Sequence, residues 1–258
     1  MPTVREVEQA LYALAPRDLA QSWDNVGLLV GEPEQEVRQV LVALDVTQAV
    51  AEEALSLGCG LIVAHHPLMN CAWSPVQSVR TDQPQGKLIT TLIRGGVSAI
   101  CMHTNLDSAA GGVNDALAAA LGLEDVGPLG EDGIGRTGVL ERETPLEAFA
   151  AYVKDRLQAG GVRYAGGGKM VRRVAVGGGA CGEYAPLAAS LGCDTFVTAD
   201  LKYHDFQNAP ALGLNLLDAG HFPTENVVCP VLADYIRRRF PGVAVSLSRV
   251  HREVFRCL

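Results

Sequence analysis

Short apolar, β-branched runs alternate along this chain with stretches of helical periodicity. Gln39 to Leu44 predicts a strand, and Thr47 to Leu57 a helix with Thr47 as its N-cap and Gly58 just past its end. Leu61 to Ala64 reads as a strand, Gly86 to Arg94 as a helix, Val97 to Cys101 as a strand, and Gly112 to Leu121 as a helix closing at Gly122. The order then recurs: strand Arg173 to Val176, helix Gly182 to Leu191, strand Thr195 to Thr198, helix Asp205 to Leu212, strand Leu214 to Leu217. A last amphipathic helix runs to about Phe240, with Pro230 inside it or in its first turn. Strand–helix alternation of this kind predicts mainly parallel sheets covered on both faces.

The recurrence extends to letters. Ser56-Leu57-Gly58-Cys59 returns as Ser190-Leu191-Gly192-Cys193, and an apolar run leading to His, three residues and an acid occurs twice, as His103 to Asp107 and as His221 to Glu225. Two related α/β lobes are therefore expected, 1–125 and 126–258. Gly127-Pro128, Gly130 and Gly133 mark a joint near 125–145. Open α/β sheets place ligands beyond their strand ends, so a site in a cleft between the lobes is expected.

Composition narrows the class. Hydrophobic residues make up 48% and charged residues 19%, as in an ordinary globular protein. No apolar run approaches the roughly 18–20 residues of a membrane span, and the first residues, Met1-Pro2-Thr3-Val4-Arg5-Glu6, do not read as a signal peptide. A cytoplasmic location without membrane contact is the expectation. Seven cysteines without a Cys-x-x-Cys pair, several in apolar surroundings (Cys59, Cys101, Cys193), read as buried thiols. A net charge of −8 without a basic stripe argues against a nucleic-acid partner, and Arg237-Arg238-Arg239 reads as a solvated helix face.

Four of the six histidines sit just past strand ends: His65, His66, His103 and His221. In an extended chain the adjacent His65 and His66 would point to opposite sides, so each would face a different ion. Spacing by four puts His221 and Glu225 on one face of a helical turn, near a helix start that favours an ionised carboxylate. A mere capping acid has the same pattern. Together His65, His66, Asp107, His221 and Glu225 supply three imidazoles and two carboxylates, enough for two divalent ions with room for water. Nitrogen and oxygen donors suit zinc, manganese, iron, cobalt or nickel without selecting among them.

These motifs bring a family into view. Ser22-Trp23-Asp24-Asn25-Val26-Gly27-Leu28, His65-His66-Pro67-Leu68, His103-Thr104-Asn105-Leu106-Asp107, Asp200-Leu201-Lys202-Tyr203-His204 and Gly220-His221-Phe222-Pro223-Thr224-Glu225 occur in order across residues 22 to 225. On them the chain resembles the GTP cyclohydrolase 1 type 2 homologue family, also called the Nif-three-like dinuclear metal-centre proteins. The resemblance implies a two-lobed α/β fold and two metal ions held by His65, His66, Asp107, His221 and Glu225, with Glu225 bridging. It also implies a toroidal homohexamer. Longer members carry an extra domain between the lobes; the stretch from about 125 to 170 is too short for it.

Weaker features complete the picture. His103 is expected to orient a ligand or shuttle protons, and His204 or Asp200 to act as general acid or base or to support the ligands. Lys202 could meet an anionic substrate or point to solvent. Trp23-Asp24-Asn25 reads as a turn ahead of the strand Val26 to Val30, with Asn25 a possible substrate contact. Gly177-Gly178-Gly179 reads as a tight strand–helix turn rather than a phosphate cradle, and His251 has no acidic partner in a fitting pattern. The function expected is a dinuclear metal-dependent hydrolase acting on a nucleotide or other small anion in the GTP cyclohydrolase manner. A phosphoesterase and a non-catalytic metal-binding regulatory or scaffold protein are the alternatives.

Overall fold

The computed structural model describes residues 1–70 and 75–257. Its first elements are α1 (Val4–Leu14), β1 (Gly27–Val30), β2 (Gln39–Ala43), α2 (Gln48–Leu57), β3 (Leu61–Ala64), α3 (Pro84–Gly95), β4 (Ser98–Cys101) and α4 (Thr104–Ser108). Next come α5 (Val113–Ala120), β5 (Glu124–Pro128), β6 (Arg136–Thr144), α6 (Leu146–Leu157), β7 (Arg163–Ala165) and β8 (Val171–Val176). The chain closes with α7 (Ala185–Ser190), β9 (Thr195–Thr198), α8 (Tyr203–Leu212), β10 (Asn215–Asp218), α9 (His221–Glu225), α10 (Val228–Arg239) and β11 (Ala244–Leu247). The local signals act as anticipated. Thr47 Oγ1 accepts from Val50 N to cap α2, and Gly58 closes the helix at φ +72°, a left-handed conformation that costs glycine little. Gly192 repeats that turn ahead of β9 at φ +77°, so the recurring Ser-Leu-Gly-Cys letters mark equivalent helix-to-strand corners.

The chain divides into two compact units, Met1–Ala110 with Cys229–Arg252, and Gly111–Val228 with the residues from Glu253 onward. The first holds a five-stranded sheet of order β1-β4-β3-β2-β11. β4, β3, β2 and β11 run parallel, and β1 pairs antiparallel on β4. Leu41 and Ala43 of β2 and Ile62 of β3 pack with Val50, Ala51 and Ala54 of α2 and Leu92 of α3. Val40 and Val42, on the opposite side of β2, are equally inaccessible, so both faces of this sheet are covered.

The second unit holds a six-stranded sheet of order β5-β6-β8-β9-β10-β7. Its central triad β8, β9, β10 is parallel, whereas β5, β6 and β7 join antiparallel. Val174, Val197 and Leu217 pack under Leu117 of α5 and Phe149 and Val153 of α6. Ala175, Phe196 and Leu216 pack with Ala185 and Ala188 of α7 and Ala209 of α8. In both units a parallel triad carries the histidine- and acid-bearing loops.

Several expectations need correcting. The stretch 125–145 is no joint: β5 and β6 pair antiparallel there, and Gly130 and Gly133 turn the chain between them. The second lobe does not run unbroken to the C-terminus either, because β11 pairs in parallel with β2 and draws the end of the chain into the first sheet. The second sheet keeps a parallel centre and adds antiparallel strands at its flanks. The sequence analysis assigns no helix before Val26, yet α1 has a full capping box: Thr3 Oγ1 accepts from Glu6 N and Glu6 Oε2 from Thr3 N. Cys59, Cys101 and Cys193 are buried as expected; burial, helped by Glu53, pushes the Cys59 thiol up to about 11. Cys71 lies outside the described residues.

Ile62 is fully inaccessible at the centre of β3. Ile62→Ala is expected to lower unfolding free energy by about 2–5 kcal/mol through lost burial and the cavity left behind. Urea denaturation checks this, and a loss below about 1 kcal/mol would contradict a close-packed sheet centre.

Candidate metal centre

In the first unit the loops after β2, β3 and β4 are tied to one another. The amides of His65 and His66 both donate to the carbonyl of Leu44, at 3.1 and 2.9 Å, and Met102 N donates to Ala64 O at 2.9 Å. Two successive amides aimed at one oxygen bend the chain, so the strand alternation stops at Ala64. This corrects the expectation that His65 and His66 diverge: their ring centroids lie 4.9 Å apart. One ring nitrogen from each of His65, His66 and His103 falls within 4.8 Å of the others. Asp107, on α4, brings Oδ1 to 3.6 Å from His65 Nε2.

Each of these imidazoles is oriented through Nδ1. His65 Nδ1 donates to the carbonyl of Met102 at 2.7 Å; a carbonyl only accepts, so a proton is on Nδ1, and in the neutral ring the lone pair is then on Nε2. His66 Nδ1 donates to Asp45 Oδ1 at 2.7 Å, and His103 Nδ1 to Asp24 Oδ1 at 2.9 Å. Asp24 is held in turn by Thr104 N, Thr104 Oγ1 and Asn25 N. Burial would raise the Asp24 carboxyl, but the hydrogen bond and charge of His103 with the Thr104 donors outweigh it and hold the group at about 2. At Asp45 burial likewise works against the bonds from His251 and His66, which win and keep the carboxyl far below its ordinary range.

The second unit presents a pair. β10 ends at Asp218, whose Oδ1 accepts from Gly220 N and whose Oδ2 accepts from Leu201 N and Arg163. The turn so fixed starts α9. His221 Nδ1 bonds to Asp200 Oδ2 at 2.7 Å, and His221 Nε2 lies 3.0 Å from Glu225 Oε2. Asp200 reaches it from a left-handed backbone, φ +54°, unusual outside glycine. Glu225 is only 4% exposed. An imidazole with a carboxylate at each nitrogen is either an imidazolium or gives its Nε2 lone pair to a cation that the second carboxylate shares.

The glycine run supplies the floor under Glu225. The amides of Gly177, Gly178 and Gly179 donate to Val197 O, Asn114 Oδ1 and Thr224 Oγ1, so the run is a tight turn and those amides are spent inside the protein. Gly179 sits at φ +65°, and a Cβ there would stand 2.1 Å from Glu225 Oε1.

The donor chemistry fits a divalent ion. Ligand atoms about 2.0–2.2 Å from one zinc ion lie at most about 4.4 Å apart, and the three ring nitrogens, each within 4.8 Å of the others, are gathered to nearly that range. Imidazoles backed by oxygen on Nδ1 and set beside carboxylates are the arrangement metal ligands require. Other predicted residues fall elsewhere. Asn25 Nδ2 donates to Met69 O and so braces a loop. His204 lies exposed on the first turn of α8 with its ring against Tyr203, and the Lys202 amide donates to Asp205 at the start of that helix. The sequence analysis missed the roles of Asp24, Asp45 and Gly179, and it missed the acidic partner of His251: Nε2 lies 3.0 Å from Asp45 Oδ2. Asp45 itself stands just past a strand end, a signal of the kind used for the others.

An α/β protein with strand-end histidine and carboxylate groups able to hold a metal ion is thus the class defined. The sequence profile of Duf34/NIF3 (NGG1p interacting factor 3) matches residues 2–253, and the chain belongs to that family. A protein of Streptomyces coelicolor named GTP cyclohydrolase 1 type 2 homolog is 41% identical over 87% of this chain and 82% of its own length. Its namesake in Clostridium perfringens is 34% identical over 94% of each chain. A Bacillus cereus protein related to NIF3 has the same fold, with TM-score 0.93 and 26% identity over 100% of this chain and 99% of that one.

Gly179→Ala is expected to cost about 1–3 kcal/mol through left-handed strain alone and to displace the Glu225 carboxylate besides. Chemical denaturation checks the loss; an unchanged midpoint would mean the floor under Glu225 is soft.

Proposed function

We propose that this chain is a metal-dependent hydrolase that uses two divalent ions, with His65, His66, Asp107, His221 and Glu225 as ligands and Glu225 bridging. The observation that carries the reading is the shared tethering of the imidazoles: His65, His66 and His221 each bond through Nδ1 to an oxygen, which supports Nε2 as the ligand atom. The family resemblance supports the count of two. When bound, such a pair of ions supplies a water of lowered pKa and positive charge opposite a developing oxyanion. Zinc, manganese, iron, cobalt and nickel all suit the donors.

The chain's own residues do the rest. Asp24 keeps the proton of His103 on Nδ1, so Nε2 is the nitrogen that takes up and returns a proton, the part of a general base. His204, exposed on α8, is assigned the second proton-transfer role, and Lys202 beside it meets the negative charge of the substrate. Asp200 orients His221. The substrate is a small anion, a nucleotide by resemblance to the cyclohydrolase homologues, with the imidazole ring of GTP as the expected point of opening. No helix among the described residues is long and apolar enough to cross a membrane. A cytoplasmic location and assembly into a toroidal homohexamer complete the proposal.

Metal analysis of the purified protein is expected to give two ions per chain, and His65→Ala or Glu225→Ala to lose metal and hydrolysis together. Two ions retained in both variants would refute the ligand set. Metal-loaded protein is expected to turn over GTP and chelated protein to be inert; release of phosphate instead would identify a phosphoesterase, and saturable binding without turnover a regulatory protein. Sedimentation at micromolar concentration is expected to show six chains, and a clean monomer would remove the ring.

A further inference from the structure

Asp45, just past the end of β2, receives two imidazoles, one on each oxygen. His66 Nδ1 bonds to Oδ1 at 2.7 Å and His251 Nε2 lies 3.0 Å from Oδ2. His251 comes from the far end of the chain, and the fold delivers it by a definite route. β11 runs parallel to β2 with Leu247 opposite Val42, so both chains leave the sheet at the same edge. Ser248 N then donates to Val42 O at 2.8 Å. Glu53 of α2 clamps the following turn, its Oε2 accepting from Ser248 Oγ and its Oε1 from Arg249 N. Ser248 Oγ also accepts from His251 N at 3.2 Å. The His251 side chain is 7% exposed while that of Asp45 is 40% exposed. A buried imidazole therefore holds a carboxylate that water could otherwise turn.

We propose that His251 is a positioning residue: through Asp45 it fixes the ring plane and tautomer of His66, and so the aim of His66 Nε2. The inference rests on the assignment of His66 as a metal ligand. A carboxylate gripped at one oxygen rotates about its Cβ–Cγ bond and offers either oxygen to His66, or exchanges it for water. Gripped at both, it has one orientation. The other first-unit imidazoles do not share this dependence: His65 is held by a backbone carbonyl and His103 by an Asp24 that three further donors tie down. His66 alone of the three is oriented by a half-exposed acid whose second grip comes from the C-terminal segment.

The test compares His251→Ala, His251→Phe, which keeps the ring without the donor, and His251→Gln, whose amide nitrogen reaches the place of Nε2. The full-length protein is used. Zinc and manganese affinities are measured against a competing chelator, and ¹⁵N shifts of His66 are recorded in metal-free protein. Expected are a loss of affinity of about tenfold or more in the Ala and Phe variants, the usual scale for a residue behind a ligand. The Gln variant should recover most of it. His66 should move from a single Nδ1–H tautomer to a mixture in the Ala and Phe variants only. If Ala fails to fold, Phe against Gln carries the same comparison. Unchanged affinity together with an unchanged His66 tautomer in the Phe variant would overturn the proposal. If the wild-type protein binds neither metal, the metal assignment fails by itself, and the tautomer in metal-free protein still decides whether His251 acts through Asp45.

Discussion

The interaction on which the candidate centre depends is a hydrogen bond at the back of each ring. A histidine can ligate through either nitrogen, and it chooses one only when the other is engaged. Here Met102 O, Asp45, Asp24 and Asp200 engage Nδ1 of His65, His66, His103 and His221 in turn. A net hydrogen bond to a charged group is worth about 1.5–3 kcal/mol. That matches the ten- to hundredfold in metal affinity, about 1.4–2.8 kcal/mol, that residues behind ligands commonly control. The backing bonds are thus of the size needed to decide whether the rings are preorganised.

Those bonds are possible because of where parallel strands end. In each unit three parallel strands bring successive loops to one sheet edge. In the first unit, Leu44 O receives the amides of His65 and His66, and Ala64 O receives that of Met102, so each loop braces the next. In the second, Asp218 at the end of β10 holds Leu201 N of the loop after β9. Sheet register, set by buried valines and isoleucines, is therefore what sets the geometry of these rings. A register slip would move every backing oxygen as well as every ring.

The parallel triads, the helix caps and the strand-end histidines were legible because their signals are local: apolar runs, Thr47, Gly58, and His or acid directly after a strand. What was not legible depends on partners distant in sequence. Nothing in the letters around His251 indicates Asp45, since the contact exists only because β11 joins β2. The divergence expected for His65 and His66 extended a strand rule one residue too far, past the point where two amides converge on Leu44. The Gly- and Pro-bearing stretch from 125 to 145 resembled a linker because β5 is exposed and irregular; its pairing with β6 is carried by backbone bonds rather than by an apolar pattern.

The two units fix their strand-end histidines and acids by different means. In the first, backing oxygens come from a backbone carbonyl, from Asp24 held by three further donors and from Asp45 held by His251, all on loops set by the sheet. In the second, Asp200 is half-exposed and backs His221 from a left-handed backbone, while Glu225 rests on glycine, where any side chain would collide. Strain of that kind persists only where surrounding contacts over-determine it. Asp218, Thr224 and Asn114 supply those contacts, each binding backbone amides of the loops concerned. The second unit thus commits three polar side chains to fixing the loops that carry His221 and Glu225. That bracing exceeds what a capping acid needs, and it suits a buried carboxylate that must keep one position against the His221 ring.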